Sequence, residues 1–296
     1  MQRRARPLRA VLPPRDAVTS YALVLVSAFL HAAWNALVKR SPDPGAAVHA
    51  VVAAAGLLAG GVALVEITLG GGTLTLRAAV LGAVAGALEA GYFQALGRAL
   101  TAGPLGPVYT ISRGTAAVLV WPISIIALGE QLTWLSGAGS ALVLFGLAAS
   151  SLDRGATRTA VLWAVGTAVF IAGYHFAYKE ALATGSSPAP IFFVSMMVAT
   201  ALGAGLGGRR YREGFAAVVR ASPWTTLGAG VITAAAFLLF MYALHRGGAG
   251  YVFTLRNTSV LWATAFAFTI GDRPSARQLA GAVLVFGGAV LMGLGH

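Results

Sequence analysis

Residues Ala46 to Val65 read AAVHAVVAAAGLLAGGVALV, twenty positions with no charged side chain and with His49 as the one polar group. A soluble helix needs a polar face to turn to water, and this stretch has none. Twenty residues rising about 1.5 Å each reach across a ~30 Å hydrocarbon core, where every backbone N–H and C=O must be bonded within the segment. The stretch therefore predicts a membrane-spanning helix, and the chain on either side repeats the prediction.

Reading between proline, glycine and charge clusters gives five spans near 18–38, 47–69, 77–99, 105–128 and 133–151. Five more fall near 160–179, 189–207, 224–244, 249–270 and 276–294. Composition agrees: 57% of the 296 residues are hydrophobic and 10% charged, with a mean hydropathy of +0.77. That is too little polar surface to cover a soluble protein, so the bilayer is the expected solvent. Connections are short except for Gly207 to Pro223, which carries Arg209, Arg210, Arg212 and Arg220, so no soluble domain is inserted between spans. Glycine pairs at small-xxx-small spacing, Gly56/Gly60, Gly82/Gly86 and Gly203/Gly207, predict close helix packing.

Several function classes fall away. The chain has no cysteine, hence no disulfide, no thiolate nucleophile and no cysteine-ligated metal. Its five histidines are scattered without an HExxH pattern, so no metal or other cofactor is implied. A net charge of +12 would point to nucleic acid in a soluble chain. Here most cations flank spans, and the expected partner is the lipid bilayer with its anionic headgroups. Residues 1–17, with five arginines, form a basic N-terminal tail, and the 21-residue span behind it is too long for a cleavable signal peptide.

The second half echoes the first. Gly129-Glu130-Gln-Leu-Thr133 matches Gly271-Asp272-Arg-Pro-Ser275, and Leu142 to Gly146 matches Leu284 to Gly288 at the same offset. Ala95-Leu-Gly-Arg98 matches Ala243-Leu-His-Arg246, and Trp34-Asn35 with Lys39 matches Tyr174-His175 with Lys179. Matches in one order mark a duplication. With five spans in each half, the second must lie upside down relative to the first, as in many secondary transporters. The expected organisation is the tail, a first five-helix repeat over 18–152 and a second over 158–295.

With His31-Ala-Ala-Trp34-Asn35 and Lys39 closing the first span, Ala95-Leu96 closing the third and Gly129-Glu130-Gln-Leu-Thr between the fourth and fifth, the chain resembles the ten-helix, EamA-like branch of the drug/metabolite transporter superfamily. The glycine-rich fifth and tenth spans fit as well. The resemblance implies an all-α membrane protein of two inverted five-helix repeats and a cavity between the halves that opens to either side in turn. It also implies both termini in the cytoplasm of a multi-pass cell-membrane protein. Lysine and arginine flanking the spans number eight on the terminal side, five of them in the tail, and eleven on the other. The positive-inside rule opposes the implied orientation.

An ionisable group deep in a span faces a polar cavity or a partner. Arg113 lies roughly 12 Å into the fourth span and Arg256 roughly 9 Å into the ninth. They hold matching places in the two repeats, Ser-Arg113-Gly-Thr and Leu-Arg256-Asn-Thr. Two guanidiniums entering from opposite sides are placed to clamp an anion; the alternatives are pairing with a carboxylate or, for Arg256, snorkelling. Glu89, in mid-span with Tyr92 one turn on, is a proton-coupling carboxylate, the ion-pair partner of Arg113 or a direct contact to substrate. His31 and Asn35 share a helix face. Together with Trp34, Tyr174, His175, Tyr178 and Asn257, they complete a ring of candidate substrate-binding groups. Glu130, Asp272, Lys39 and Lys179 lie at span ends and are expected to cap or anchor helices.

The function expected is secondary transport of a small anionic or zwitterionic metabolite, such as an amino acid or organic acid, with proton coupling and no required oligomer. A proton-coupled multidrug or cation exporter is the alternative, disfavoured by the absence of a carboxylate from the first span. A membrane-embedded enzyme would need clustered His, Asp or Ser at the surface, which the sequence lacks, and a non-transporting membrane subunit stands with it behind transport.

Overall fold

The computed structural model describes residues 15–128, 133–151, 157–246 and 249–294, and among these every regular element is helical. The helices are α1 (Arg15–Lys39), α2 (Pro44–Thr68), α3 (Leu76–Ala102), α4 (Leu105–Leu128), α5 (Trp134–Ser151) and α6 (Arg158–Leu182). They continue as α7 (Pro188–Leu206), α8 (Gly208–Ala221), α9 (Pro223–Arg246), α10 (Ala249–Arg256), α11 (Ser259–Thr269) and α12 (Ala276–Leu294). Among the described residues six helices, α1, α2, α3, α6, α7 and α9, are long and apolar enough to cross a membrane.

Local chemistry sets the boundaries. Asp43 caps α2 by accepting from Ala46 N at 3.0 Å, with Pro44 in the first turn, where its missing N–H costs nothing. Thr75 and Thr157 cap α3 and α6 in the same way, accepting from Ala78 N and Ala160 N at 3.1 Å each. Two features differ from the sequence reading. The ninth span is not one helix: it breaks at Asn257 and Thr258, directly after Arg256. The Gly207 to Pro223 connection is itself helical, turned off α7 at Gly208, whose φ of +61° suits glycine. Arginines on one side of α8 and Tyr211, Phe215 and Val218 on the other make it amphipathic, which a count of apolar runs passes over. Burial raises the pKa of the Tyr211 phenol, whose ring lies 4.6 Å from that of His49.

Packing follows the glycines. A Cβ on Gly56 or Gly60 of α2 would strike Met196 or Phe193 of α7, and one on Gly82 would crowd the Ile191 carbonyl. These small-xxx-small pairs are therefore helix contacts, whereas Gly203 and Gly207 receive Tyr211 of α8 instead of another span. The α5–α12 pair is reciprocal. A Cβ on Gly146 would sit 2.6 Å from the Gly281 carbonyl and against Val285, and one on Gly288 would sit 2.5 Å from the Gly139 carbonyl and against Val143. The three pairs Gly139/Gly281, Val143/Val285 and Gly146/Gly288 share one sequence offset. The same exchange runs through the molecule: α1 packs on α9 as α6 packs on α3, and α2 on α9 as α7 on α3.

Helix ends are tied across the fold. Lys39 Nζ donates to the Leu100 and Gly103 carbonyls at 2.7 and 2.8 Å, satisfying the end of α3. Asp272 accepts from Leu105 N at 2.8 Å at the start of α4, where the helix dipole favours an anion. Glu130 and residues 1–14 of the basic tail lie outside the described residues.

Candidate functional site

Arg113 of α4 and Arg256 of α10 are 3% and 1% exposed. Neither forms an ion pair among the described residues. Both converge on one ring: Arg113 Nη2 hydrogen-bonds His31 Nε2, and Arg256 Nη2 stands 3.4 Å from His31 Nδ1. Trp34 Nε1 also approaches His31 Nδ1, at 3.2 Å. Guanidinium and indole only donate, and an imidazole accepts at one nitrogen at most. Three donors therefore meet a single place to accept. Burial rules out the snorkelling alternative for Arg256, whose Nε and Nη1 are also buried without a partner.

Aromatic rings hold the two cations apart from lipid. The Arg256 guanidinium carbon lies 3.8 Å from the centre of the Phe240 ring and 4.8 Å from that of Phe237, and Arg113 lies 5.5 Å from Tyr109. The phenylalanine contacts stabilise a guanidinium without supplying it an acceptor. Phe237 stacks on Phe192 with centroids 5.2 Å apart.

Glu89 does not pair with Arg113. Its Oε2 accepts from Tyr178 Oη and from Ser195 Oγ, both at 2.7 Å, and its Oε1 is buried and unpartnered. Tyr174 bridges the two groups, with ring centres 5.9 Å from Tyr178 and 6.5 Å from Phe237, while its hydroxyl is buried and free of partners. Tyr92 packs edge-on to Tyr174 at 5.5 Å.

His175 donates from Nδ1 to the Ile171 carbonyl of its own helix at 2.7 Å. Its ring sits between Phe240 and Phe253, and Nε2 is left as an unpaired acceptor. Asn35 likewise spends its amide on the His31 carbonyl, at 2.7 Å, and buries Oδ1 unpaired. Asn257 is half-buried at the helix break, and the neighbouring Thr258 and Ser259 hydroxyls are buried without partners. Buried polar atoms normally find partners, so this density of unpaired donors and acceptors around two cations makes the cluster the candidate place for a polar ligand.

Sequence reasoning missed Phe237, Phe240, Tyr109, Ser195, Thr258 and Ser259. Tyr109 stands one turn before Arg113 and was discoverable by helical spacing. The phenylalanines carry no signal in a helix that is apolar throughout.

Residues 158–294 match the family model of the EamA-like transporter family. A search of curated proteins returns no match. Twenty-two chains of solved structures match. One crystal structure among them aligns over 93% of this chain and 97% of its own with a TM-score of 0.62 and 17% identity, a likeness of fold alone. The second half of this chain thus resembles the EamA-like transporter family, on a fold that is all-helical among the described residues and has six helices long and apolar enough to cross a membrane.

Proposed function

We propose that the chain is a secondary transporter of a small anionic or zwitterionic metabolite, working by alternating access between two inverted five-helix halves of the cell membrane, 18–152 and 158–295. The observation that carries this reading is the excess of donors at His31: Arg113, Arg256 and Trp34 face one acceptor, an arrangement complementary to an anion. A carboxylate, phosphate or phosphonate would supply forked acceptors to both guanidiniums. The reciprocal α5–α12 contact and the exchanged helix pairs support the inverted repeat, with α10 and α11 as one broken span. Broken spans at repeat interfaces are where such transporters bind substrate.

Glu89 is the candidate for proton coupling. Two hydroxyls hold its Oε2 in place, and the unpaired Oε1 is open to a proton. The unpaired Asn35 Oδ1 and His175 Nε2 would accept from an ammonium or hydroxyl of the same ligand.

A thermal-shift screen of purified protein in detergent tests the polarity of the site. Ligands that bind only the folded state stabilise it by RT ln(1 + [L]/Kd). Organic acids, amino acids or sugar phosphates should raise Tm, and Arg113→Ala or Arg256→Ala should abolish the rise. Stabilisation by quaternary cations, lost in Glu89→Gln, would replace this reading with cation export.

A further inference from the structure

At one end of the molecule the α2–α3 turn and the α6–α7 turn are laced together. Thr73 N donates to Ser187 Oγ at 3.0 Å, and Ser187 N donates to the Thr73 carbonyl at 2.8 Å. Thr75 N donates to Ser186 Oγ at 3.0 Å, and Thr73 Oγ1 to the Gly185 carbonyl at 3.1 Å. One turn further in, Arg77 and Glu180 approach to 3.6 Å. Ser186 is fully buried, so part of this clasp is shielded from water. Every bond joins the first half of the chain to the second.

Exchanging α1 with α6, α2 with α7 and α3 with α9 carries this clasp to the opposite end, onto the α1–α2 turn and the α8–α9 segment. There the arrangement differs. Among the described side chains no hydrogen bond joins residues 40–43 to residues 208–226. A cavity of about 310 Å³ separates them, lined by Leu37, Val38 and Arg40 on one side and Val218, Thr225 and Thr226 on the other. α8 roofs the cavity and touches α2 at Gly214, where a Cβ would stand 3.1 Å from that of Ala46, and at Tyr211, whose ring lies against that of His49. The first half has only the short α2–α3 turn where the second has α8.

We propose that these two places are the gates of the transporter: this conformer is shut at the Thr73–Ser187 clasp and slack beneath α8, and releasing the clasp closes the α8 end. The inference rests on the transport reading above and adds to it which residues seal each end. Neutral hydrogen bonds at a turn exchange for water at little net cost, so the clasp is reversible. Of the helix pairs that would rock, α1 on α9 is held by a hydrogen bond from Ser27 Oγ to the Ala236 carbonyl, and α3 on α6 by the Tyr178–Glu89 hydrogen bond and by close glycine contacts. Gly173 sits against Leu88 and Gly103 against Ala160, contacts that allow a rigid-body tilt without rebuilding side chains.

The absence of cysteine makes the test direct, because introduced pairs are the sole thiols. Spin labels at Leu76→Cys with Ala183→Cys report the clasp end, and Pro42→Cys with Thr225→Cys report the α8 end, in lipid nanodiscs by electron–electron double resonance. Loosening the clasp with Thr73→Val, Ser186→Ala and Ser187→Ala, which removes every side-chain bond among those named and leaves the backbone bond from Ser187 N to the Thr73 carbonyl, should lengthen the first distance and shorten the second, each by more than the width of the parent distribution. A clasp pair that lengthens while the α8 pair stays fixed would mean a frayed turn and would overturn the proposal, as would no change in either. The distances need no substrate, so reciprocal movement in a protein that carries no flux would sink the transport reading and leave the gates standing.

Discussion

At the residue scale, the site is a matter of unbalanced hydrogen bonding. Arg113 and Arg256 were conspicuous in the sequence because a guanidinium inside twenty apolar residues demands a reason. Their common partner was not, since His31 lies 82 positions from Arg113 and 225 from Arg256. Charge-assisted hydrogen bonds are worth about 1.5–3 kcal/mol, so Arg113→Ala should weaken anion binding roughly 10- to 100-fold in a calorimetric titration. Arg113→Lys should recover only part of the loss, because a point charge cannot fork. Full binding by the alanine variant would remove Arg113 from the site. Glu89→Gln keeps the acceptor for Tyr178 and Ser195 but cannot exchange a proton; flux into proteoliposomes should lose its dependence on a pH gradient. A gradient-driven flux that survives the change would assign coupling elsewhere. Ser195 was illegible beforehand, being one hydroxyl on an apolar helix, with no spacing to connect it to a carboxylate 106 positions away.

At the element scale, helix existence was legible and helix integrity was not. Apolar length predicted α2 and α7 to within about three residues, because the bilayer imposes one thickness on every span. The break between α10 and α11 escaped notice because Asn257 and Thr258 are ordinary within helices and carry no local signal of unwinding. α8 escaped because its pattern is amphipathic, not apolar. The α5–α12 contact gives a mirrored prediction. Gly146→Leu and Gly288→Leu each force a side chain into a backbone carbonyl of the partner helix, costing about 1–3 kcal/mol, and should lower Tm in detergent by similar amounts. Gly287→Ala, with open space at its Cβ, should leave Tm at or slightly above the parent value. Unequal losses from the two leucine variants would argue against the proposed twofold relation of the halves.

At the scale of the whole molecule, orientation sets the family resemblance against charge. The end bearing α8 also carries Lys39, Arg40, Arg98, Arg158 and Arg273, whereas α1 begins and α12 ends at the other end. With the termini in the cytoplasm, a single cysteine replacing Trp224, which is 81% exposed at the start of α9, should react with a membrane-impermeant maleimide added outside intact cells. Reaction only after permeabilisation would reverse the orientation and vindicate the positive-inside count. The sequence by itself determined that the chain is helical, lies in a membrane and carries a duplicated pattern, because hydrophobic length and repeat offsets are local, additive properties of the residues. Which donors face which acceptors was decided only by tertiary structure. So were the clasp between the Thr73 and Ser187 turns and the cavity beneath α8. Each of these depends on segments far apart in sequence, and in spans that are apolar on every face no local pattern records which face meets which neighbour.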